Sequence, residues 1–331
     1  MAAKARGVKA LTRTARLAES LPVRLVVTAG LLGLVAVHID WSKMGSRLSH
    51  GHPLDFLAAV ALVLVALVVG ACRWWQLLRR ADLHLDISPL ARIYAISTFS
   101  NTFLPTSVGG DVTRALLVTR RGPLLTRVAT TIVVDRVGGL AGLVGMAWLA
   151  FALQSATVPN GAEVFLVWVT AAVLIGSLIV LVLVFRGSRI GRSLVPSRLA
   201  SSARQLRALL RSYASDPVTL TVLLASSLLY QALVSLQLVM LAHAIDVDLP
   251  FATAAVVLAL VTVATLIPVS IGGFGIREGT YVVLLAGASI AATDATLISV
   301  LSVAALFFAS LPGAFMMARG GFAPALEVAT R

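Results

Sequence analysis

Two apolar runs of the sequence are each broken by a short stretch rich in proline and glycine, and the two stretches resemble one another. The first is Phe103-Leu-Pro-Thr-Ser-Val-Gly-Gly-Asp-Val-Thr-Arg114, and the second is Leu266-Ile-Pro-Val-Ser-Ile-Gly-Gly-Phe-Gly-Ile-Arg277. Corresponding residues lie 163 positions apart, about half of the 331 residues. Broken hydrophobic segments at matching positions in two halves of a chain indicate a membrane transport site.

Composition places both stretches in an integral membrane protein. Hydrophobic residues make up 59% of the chain and charged residues only 12%, whereas soluble domains carry about 25% charged residues. The net charge of +13 comes largely from basic residues in short loops between apolar runs. This placement indicates cytoplasmic loops near anionic lipid and argues against a nucleic-acid partner. The single cysteine, Cys72, excludes an internal disulfide and a cysteine-based metal site.

Long apolar runs predict helices that cross the membrane. We expect a retained first helix over residues 25–39, after a basic cytoplasmic N-terminus over residues 1–24, and then a loop up to Pro53. Further full-length helices are predicted over residues 54–77, 128–153, 163–185, 218–245 and 296–317. The pattern of arginines between these helices predicts that both termini are cytoplasmic.

Three features accompany these helices. Arg73-Trp74-Trp75 is interpreted as an aromatic and basic anchor at the membrane interface. Residues 186–217 carry seven arginines and are predicted to form a cytoplasmic connector between the two halves. This connector is either a positively charged loop or an amphipathic surface helix that binds anionic lipid. Gly138 and Gly142, one helical turn apart, predict close packing against another helix.

Residues 88–118 and 251–290 contain the two breaks. The first segment has basic residues at both ends and is too short for two crossings of about 20 residues each. The second segment has acidic residues near its ends and no basic residue there. We therefore predict two broken re-entrant hairpins that enter the membrane from opposite faces. Their unpaired backbone groups require surrounding protein or a polar cavity, since lipid offers no hydrogen bonds.

The offset of 163 also relates the helices around the breaks. Added to residues 54–77 and 128–153, it gives 217–240 and 291–316, which are again predicted helices. The predicted fold is an all-α integral membrane protein, a polytopic helix bundle of two inverted-topology repeats over residues 25–153 and 163–317. Each repeat holds one hairpin, and residues 1–331 form a single transmembrane domain. Inverted repeats give many transporters their midplane site.

Charged residues in the membrane interior cost about 2.5–3.5 kcal/mol each on insertion scales and mark function. The candidate residues for binding and translocating a substrate are Arg114, Arg277, Glu278, Asp111, Asp135, Arg136, Ser107 and Ser270, with Thr106 beside them. The candidate hairpin tips are Pro105, Gly109, Gly110, Pro268, Gly272 and Gly273. A half-helix beginning after each Gly-Gly pair would turn its free N–H groups toward an anion, and the arginines could bind a phosphate bidentately.

A purely structural interpretation of the same charges stays open. Asp111, Asp135 and Glu278 could instead neutralise Arg136, Arg114 and Arg277 in ion pairs that hold the hairpins in place, because an intramembrane charge needs a partner in either case.

Metal ions and cofactors are not predicted. His50 and His52 lie near Asp55 and could take up a stray cation, but we favour a solvated loop, since no fourth ligand accompanies them. The sequence contains no nucleotide-binding loop and no nucleophile elbow. Transport by this chain would therefore be passive or coupled to an ion gradient.

The stretches Asn101–Arg114, Val134–Arg136 and Ile267–Gly279, together with Trp74-Trp75-x-Leu-Leu, resemble the flippase-like transmembrane family named after lysylphosphatidylglycerol synthase. The similarity spans residues 54–317. Family members usually have an acidic residue, often glutamate, in the place that Asp135 holds here.

The resemblance implies a multi-pass protein of a bacterial or archaeal cell membrane that moves a lipid between leaflets. Relatives that make aminoacyl-phosphatidylglycerol carry this module ahead of a soluble transferase domain. The chain ends soon after its last predicted helix, so we expect neither that domain nor its activity.

The leading hypothesis is a flippase for a phospholipid or another anionic lipid, with Arg114 and Arg277 at the headgroup. The alternatives are a membrane-embedded aminoacyl- or glycosyl-lipid transferase, the membrane subunit of a separate transferase, and an assembly subunit that transports nothing.

Overall fold

The computed structural model describes residues 41–103, 109–119, 122–154, 163–176, 208–213, 215–266, 270 and 273–320, together with Gly30, Gly33 and Val37. Over these residues the regular elements are all helices. The predicted hairpin-tip residues Pro105, Pro268 and Gly272 lie outside the described residues, as do the binding candidates Thr106 and Ser107 and most of the predicted first helix and of the basic connector.

The helices are named here in chain order. They are α1 (Trp41–His50), α2 (Pro53–Arg80), α3 (Ile87–Phe103), α4 (Gly109–Val118), α5 (Gly122–Leu153), α6 (Glu163–Gly176), α7 (Pro217–His243), α8 (Phe251–Leu266), α9 (Ile276–Ala286) and α10 (Ala292–Gly320).

Four of these helices, α2, α5, α7 and α10, are long and apolar enough to cross a membrane. The shortest of them has 27 residues, which at about 1.5 Å per residue exceeds the roughly 30 Å hydrocarbon core. They coincide with four of the predicted spans, over residues 54–77, 128–153, 218–245 and 296–317. The chain is thus a multi-pass helical membrane protein.

Two helix boundaries differ from the prediction. Residues 41–50 form α1, where we expected a loop up to Pro53. Arg47 of α1 pairs with Asp294 at the start of α10 at 3.5 Å, and this contact holds the segment against the bundle. Helix α5 begins at Gly122 rather than near residue 128, because Pro123 is compatible with the first turn of a helix.

Described helices flank both predicted interruptions, and residues 270 and 273–275 in the second lie outside the α-helices. Helix α3 ends at Phe103 and α4 begins at Gly109, while α8 ends at Leu266 and α9 begins at Ile276. In the second copy the helix begins within the repeated stretch, one residue before Arg277. The carboxylate of Glu278 accepts a hydrogen bond from the N–H of Gly275 at 2.5 Å, which starts α9 early by satisfying a free donor at its N-terminus. The re-entrant and inverted character of the two hairpins, and the division into repeats, remain predictions.

Glycines let α5 approach α7 closely, as the spacing of Gly138 and Gly142 predicted. A Cβ atom added at Gly138 would lie 2.6 Å from Cδ1 of Leu223, and one at Gly142 would lie 2.5 Å from Cβ of Ser227. Helix α7 also runs along α2. The three helices α2, α5 and α7 therefore form a packed group, which contributes part of the wall of the candidate site.

Candidate functional site

Five charged side chains form a continuous chain of ion pairs between α2, α4 and α5. Arg73 Nε donates to Oδ1 of Asp135 at 2.7 Å, and Arg114 Nη1 lies 3.2 Å from Oδ2 of the same carboxylate. Arg114 Nη2 continues to Oδ1 of Asp111 at 3.0 Å, and Arg136 Nε reaches Oδ2 of Asp111 at 2.8 Å. Three arginines share two aspartates, so this charged cluster carries one net positive charge.

The inner end of the charged cluster is buried. The side chains of Arg73 and Asp135 are 7% and 5% exposed. Arg73 Nη1 also donates to the hydroxyl of Ser227 at 3.0 Å, and its guanidinium lies 5.7 Å from the ring of Tyr230. Both oxygens of Asp135 accept from arginine. These bonds offset the several kcal/mol that each buried ion loses in leaving water, so the inner end is fixed.

Arg114 connects the inner and outer parts of the cluster. Its guanidinium stacks over Trp74 at 4.4 Å and lies 5.5 Å from the ring of Tyr94. Aromatic faces attract a cation and hold it in one orientation. The Nε of Arg114 is buried and has no hydrogen-bond partner among the residues that the structure describes. Arg114 is thus a buried cation with spare donor capacity.

The interpretation of Arg73-Trp74-Trp75 as an interface anchor is wrong for its first two residues. Trp74 is fully buried, and its Nε1 donates to the hydroxyl of Thr131 at 3.0 Å. Arg73 belongs to the charged cluster. The physical reason is the carboxylate of Asp135 on α5, which offers Arg73 a better partner than the membrane surface does.

The outer end of the cluster is accessible. The side chain of Asp111 is 14% exposed and that of Arg136 is 53% exposed. The position of Asp111 depends on the neighbouring Gly110, which has no Cβ. A Cβ at residue 110 would lie 2.5 Å from the carbonyl oxygen of Ser97 on α3. Helix α4 can therefore lie directly on α3, and its first turn brings Asp111 to the cluster. Gly109 and Gly110, predicted as hairpin tips, are the first residues of α4.

A cavity of about 390 Å³ opens onto the charged cluster. This volume lies within the roughly 300–1,000 Å³ of small-molecule sites. The polar part of its wall consists of Arg73, Tyr94, Ser97, Thr98, Asn101, Thr102, Asp111, Arg114, Asp135, Arg136, Tyr230, Gln231 and Thr262. The apolar part consists of Leu67, Leu140, Leu143, Val234, Leu258, Leu266 and Leu306. The cavity can therefore accommodate a molecule with one anionic and one apolar end.

Comparison with known proteins identifies the family. The family described as Lysylphosphatidylglycerol synthase TM region matches residues 22–313. The chain belongs to this family. Membership confirms the resemblance and indicates a function connected with membrane lipids. No curated protein matches the sequence.

In this family member, four of the predicted binding residues, all from the first half of the chain, come together. Asp111, Arg114, Asp135 and Arg136 line the cavity. The described wall of that cavity does not include Arg277, Glu278 or Ser270.

The second-half residues have surroundings of their own. Glu278 is buried, bonds the N–H of Gly275, and lies 3.5 Å from the hydroxyl of Ser299. Arg277 lies 5.4 Å from the ring of Phe274. Ser270 is buried, and its Oγ has no hydrogen-bond partner within the described part of the chain. Gly273 has φ +76° and packs on Thr265.

The structure also contains the ion pairs of the structural interpretation, Asp135 with Arg114 and Asp111 with Arg136. Sequence reasoning missed Arg73, Trp74, Tyr94 and Tyr230. For Arg73 a signal existed, since a lone cation lies within the apolar run of α2. The sequence contains no comparable signal for Tyr94 or Tyr230.

Two histidine–aspartate pairs connect the start of α2 with the end of α7 and the loop that follows it. His243 Nδ1 lies 2.8 Å from Oδ2 of Asp55, and His52 Nε2 lies 3.2 Å from Oδ1 of Asp246. Asp55 thus meets a histidine at the end of α7 rather than His50 or His52. Among the described residues, no group of three or more histidine, cysteine or acidic side chains is placed to hold a metal ion.

Proposed function

We propose that this chain is a lipid transporter that moves a phospholipid or another anionic lipid between the leaflets of a bacterial or archaeal cell membrane. The observation that supports this function is the charged cluster at the cavity. Three arginines share two carboxylates there, so the site attracts an anion. Guanidinium groups bind phosphate bidentately, and phosphate is the anion that phospholipid headgroups share.

The cavity wall fits the two ends of such a lipid. A charged headgroup cannot cross the hydrocarbon core without polar partners. Arg136 is half exposed and lies at the accessible end of the cluster, where it would meet the headgroup first. Serine, threonine and asparagine side chains of α3 continue the polar wall. The leucines of the apolar part of the wall are compatible with acyl chains, which would remain in contact with lipid.

A transport assay in proteoliposomes tests this proposal. The purified full chain is reconstituted with trace phosphatidylglycerol that carries a fluorescent label, and dithionite bleaches the label in the outer leaflet. We expect a second bleaching phase that protein-free vesicles lack. Arg136→Gln should slow that phase by about tenfold or more, the loss expected on removing a charge-assisted contact.

The matched control is Arg127→Gln, which removes an arginine of the same helix that does not line the cavity. Its rate should equal that of the wild type. The proposal fails if the wild type moves no more lipid than empty vesicles do, or if both variants behave alike. Mass spectrometry of lipids extracted from the same vesicles after incubation with an aminoacyl or glycosyl donor distinguishes the transferase alternative, in which transfer of the donor's group would increase lipid masses.

A further inference from the structure

The two aspartates of the charged cluster have different surroundings, although each bridges two arginines. Asp135 lies between Arg73 and Arg114, whose side chains are 7% and 5% exposed. Asp111 lies between Arg114 and Arg136, and the Arg136 side chain is 53% exposed. Asp135 is therefore enclosed by fixed cations, whereas Asp111 has one fixed and one accessible partner.

We infer that Asp111 occupies the position of the substrate phosphate, as an internal counter-ion that the lipid headgroup displaces. This inference rests on the proposed function and specifies its substrate class as phosphodiester lipids. A phosphodiester carries one negative charge and two non-bridging oxygens, as a carboxylate carries two oxygens. It can thus accept from Arg114 Nη2 and Arg136 Nε in the way that Oδ1 and Oδ2 of Asp111 do at 3.0 and 2.8 Å.

The exchange leaves the net charge of the cluster at +1, as before. Three arginines still face two anions after a phosphate replaces the Asp111 carboxylate. The displaced carboxylate stays in the first turn of α4, where the helix dipole favours a negative charge. Asp111 and both its arginines line the cavity, so the headgroup has access to the position that it takes over.

The direct test is the affinity of the purified full chain for dihexanoyl phosphatidylglycerol in detergent, measured by titration calorimetry. Asp111→Asn removes the internal competitor while keeping the side-chain shape, so binding should tighten by about tenfold. Arg136→Gln should weaken binding. Asp55→Asn, which neutralises an acidic residue outside the cavity, should leave it unchanged. The inference is overturned if Asp111→Asn binds no better than the wild type.

A second measurement uses the wild type alone, in case Asp111→Asn folds poorly. A hydrophobic carbodiimide modifies carboxyl groups that are free of cation partners, and peptide mass spectrometry locates the modification. Phosphatidylglycerol should increase the labelling of Asp111 several-fold relative to Asp135. Equal or reduced labelling would contradict displacement.

These experiments measure binding and labelling without transport. Tighter binding by Asp111→Asn together with a failed proteoliposome assay would overturn the transporter function alone. Transport by the wild type without tighter binding by Asp111→Asn would overturn the exchange alone.

Discussion

Arg73 and Asp135 lie 62 residues apart in the sequence and 2.7 Å apart in the structure. The pair joins α2 to α5 inside the bundle. Asp135 also pairs with Arg114 and so joins α5 to α4. One carboxylate thus fixes two cations from two other helices. The stability of the bundle and the shape of the candidate site therefore depend on the same residue.

Asp135→Asn should destabilise the protein strongly. It leaves the buried guanidinium of Arg73 without its counter-charge and removes one of the two carboxylates that Arg114 contacts, and breaking a buried ion pair in this way costs about 3–5 kcal/mol. The free energy of unfolding in detergent micelles measures the effect. Asp248→Asn, at an exposed loop position, is the control and should change little. Equal stability of the two variants would show that the cluster does not hold the helices together.

Gly142→Ala should force α5 and α7 apart. The added methyl group would meet Cβ of Ser227 at 2.5 Å, and overpacking of this kind costs about 1–3 kcal/mol. Gly145→Ala is matched on the same helix, where the new Cβ would lie 3.4 Å from Leu228. Thermal unfolding should therefore shift downward for the first variant and hardly move for the second. A shift of similar size in both would contradict the close approach.

Tyr213→Phe should weaken the attachment of the connector to α2. The buried hydroxyl of Tyr213 donates to the carbonyl of Leu77 at 2.7 Å, and the loss of one such bond costs about 1 kcal/mol. The unfolding free energy should fall by that amount while lipid transport continues at the wild-type rate. Unchanged stability would indicate that the bond contributes nothing.

Asp216 should stabilise the start of α7 in a pH-dependent way. Its carboxylate accepts hydrogen bonds from the hydroxyl of Thr219 and the N–H of Val218, and it pairs with Arg80. The Thr219 hydrogen bond is the main reason that the pKa of Asp216 is below its ordinary value. The carboxylate therefore contributes its stability above the ordinary pKa and loses it as the pH falls through the lowered one.

The unfolding temperatures of the wild type and of Asp216→Ala, measured at several pH values, test this pH dependence. The variant should unfold at a lower temperature near neutral pH, and the difference should shrink on acidification. A difference that stays constant with pH would mean that the charge of Asp216 is not involved.

Arg277→Gln should reduce lipid transport less than Arg136→Gln does. Arg277 matches Arg114 in the repeated motif, but the described wall of the cavity includes Arg136 and not Arg277. The proteoliposome assay gives both rates under identical conditions. Equal losses would show that the second copy of the motif takes part in binding, as the sequence alone predicted.

The membrane-spanning helices could be predicted because long apolar runs have few alternatives in a bilayer. The pairing of Asp111 with Arg136 could also be anticipated, since each intramembrane charge requires a partner. Arg73 was misplaced because the neighbouring Trp74 and Trp75 form a typical interface pattern. Its actual partner lies on another helix, and only the tertiary structure brings the two together.

The sequence repeat overstated the likeness of its two copies. Arg114 is the sixth residue of α4, whereas Arg277 is the second residue of α9. In the second copy, Glu278 and Gly275 form a helix cap at the start of α9. A matching motif therefore fixed the place of each break but not the orientation of the arginine that follows it.

The close packing of α5 against α7 limits how this protein can change shape. Helix α7 belongs to the second half of the sequence, yet Ser227 touches the backbone of α5 at Gly142 and bonds Arg73 of α2. The backbone N–H of His52 also bonds the carbonyl of Ala244 just beyond α7. Separating the two halves as rigid bodies would break all of these contacts. Any change of shape should then leave the contacts between α2, α5 and α7 intact.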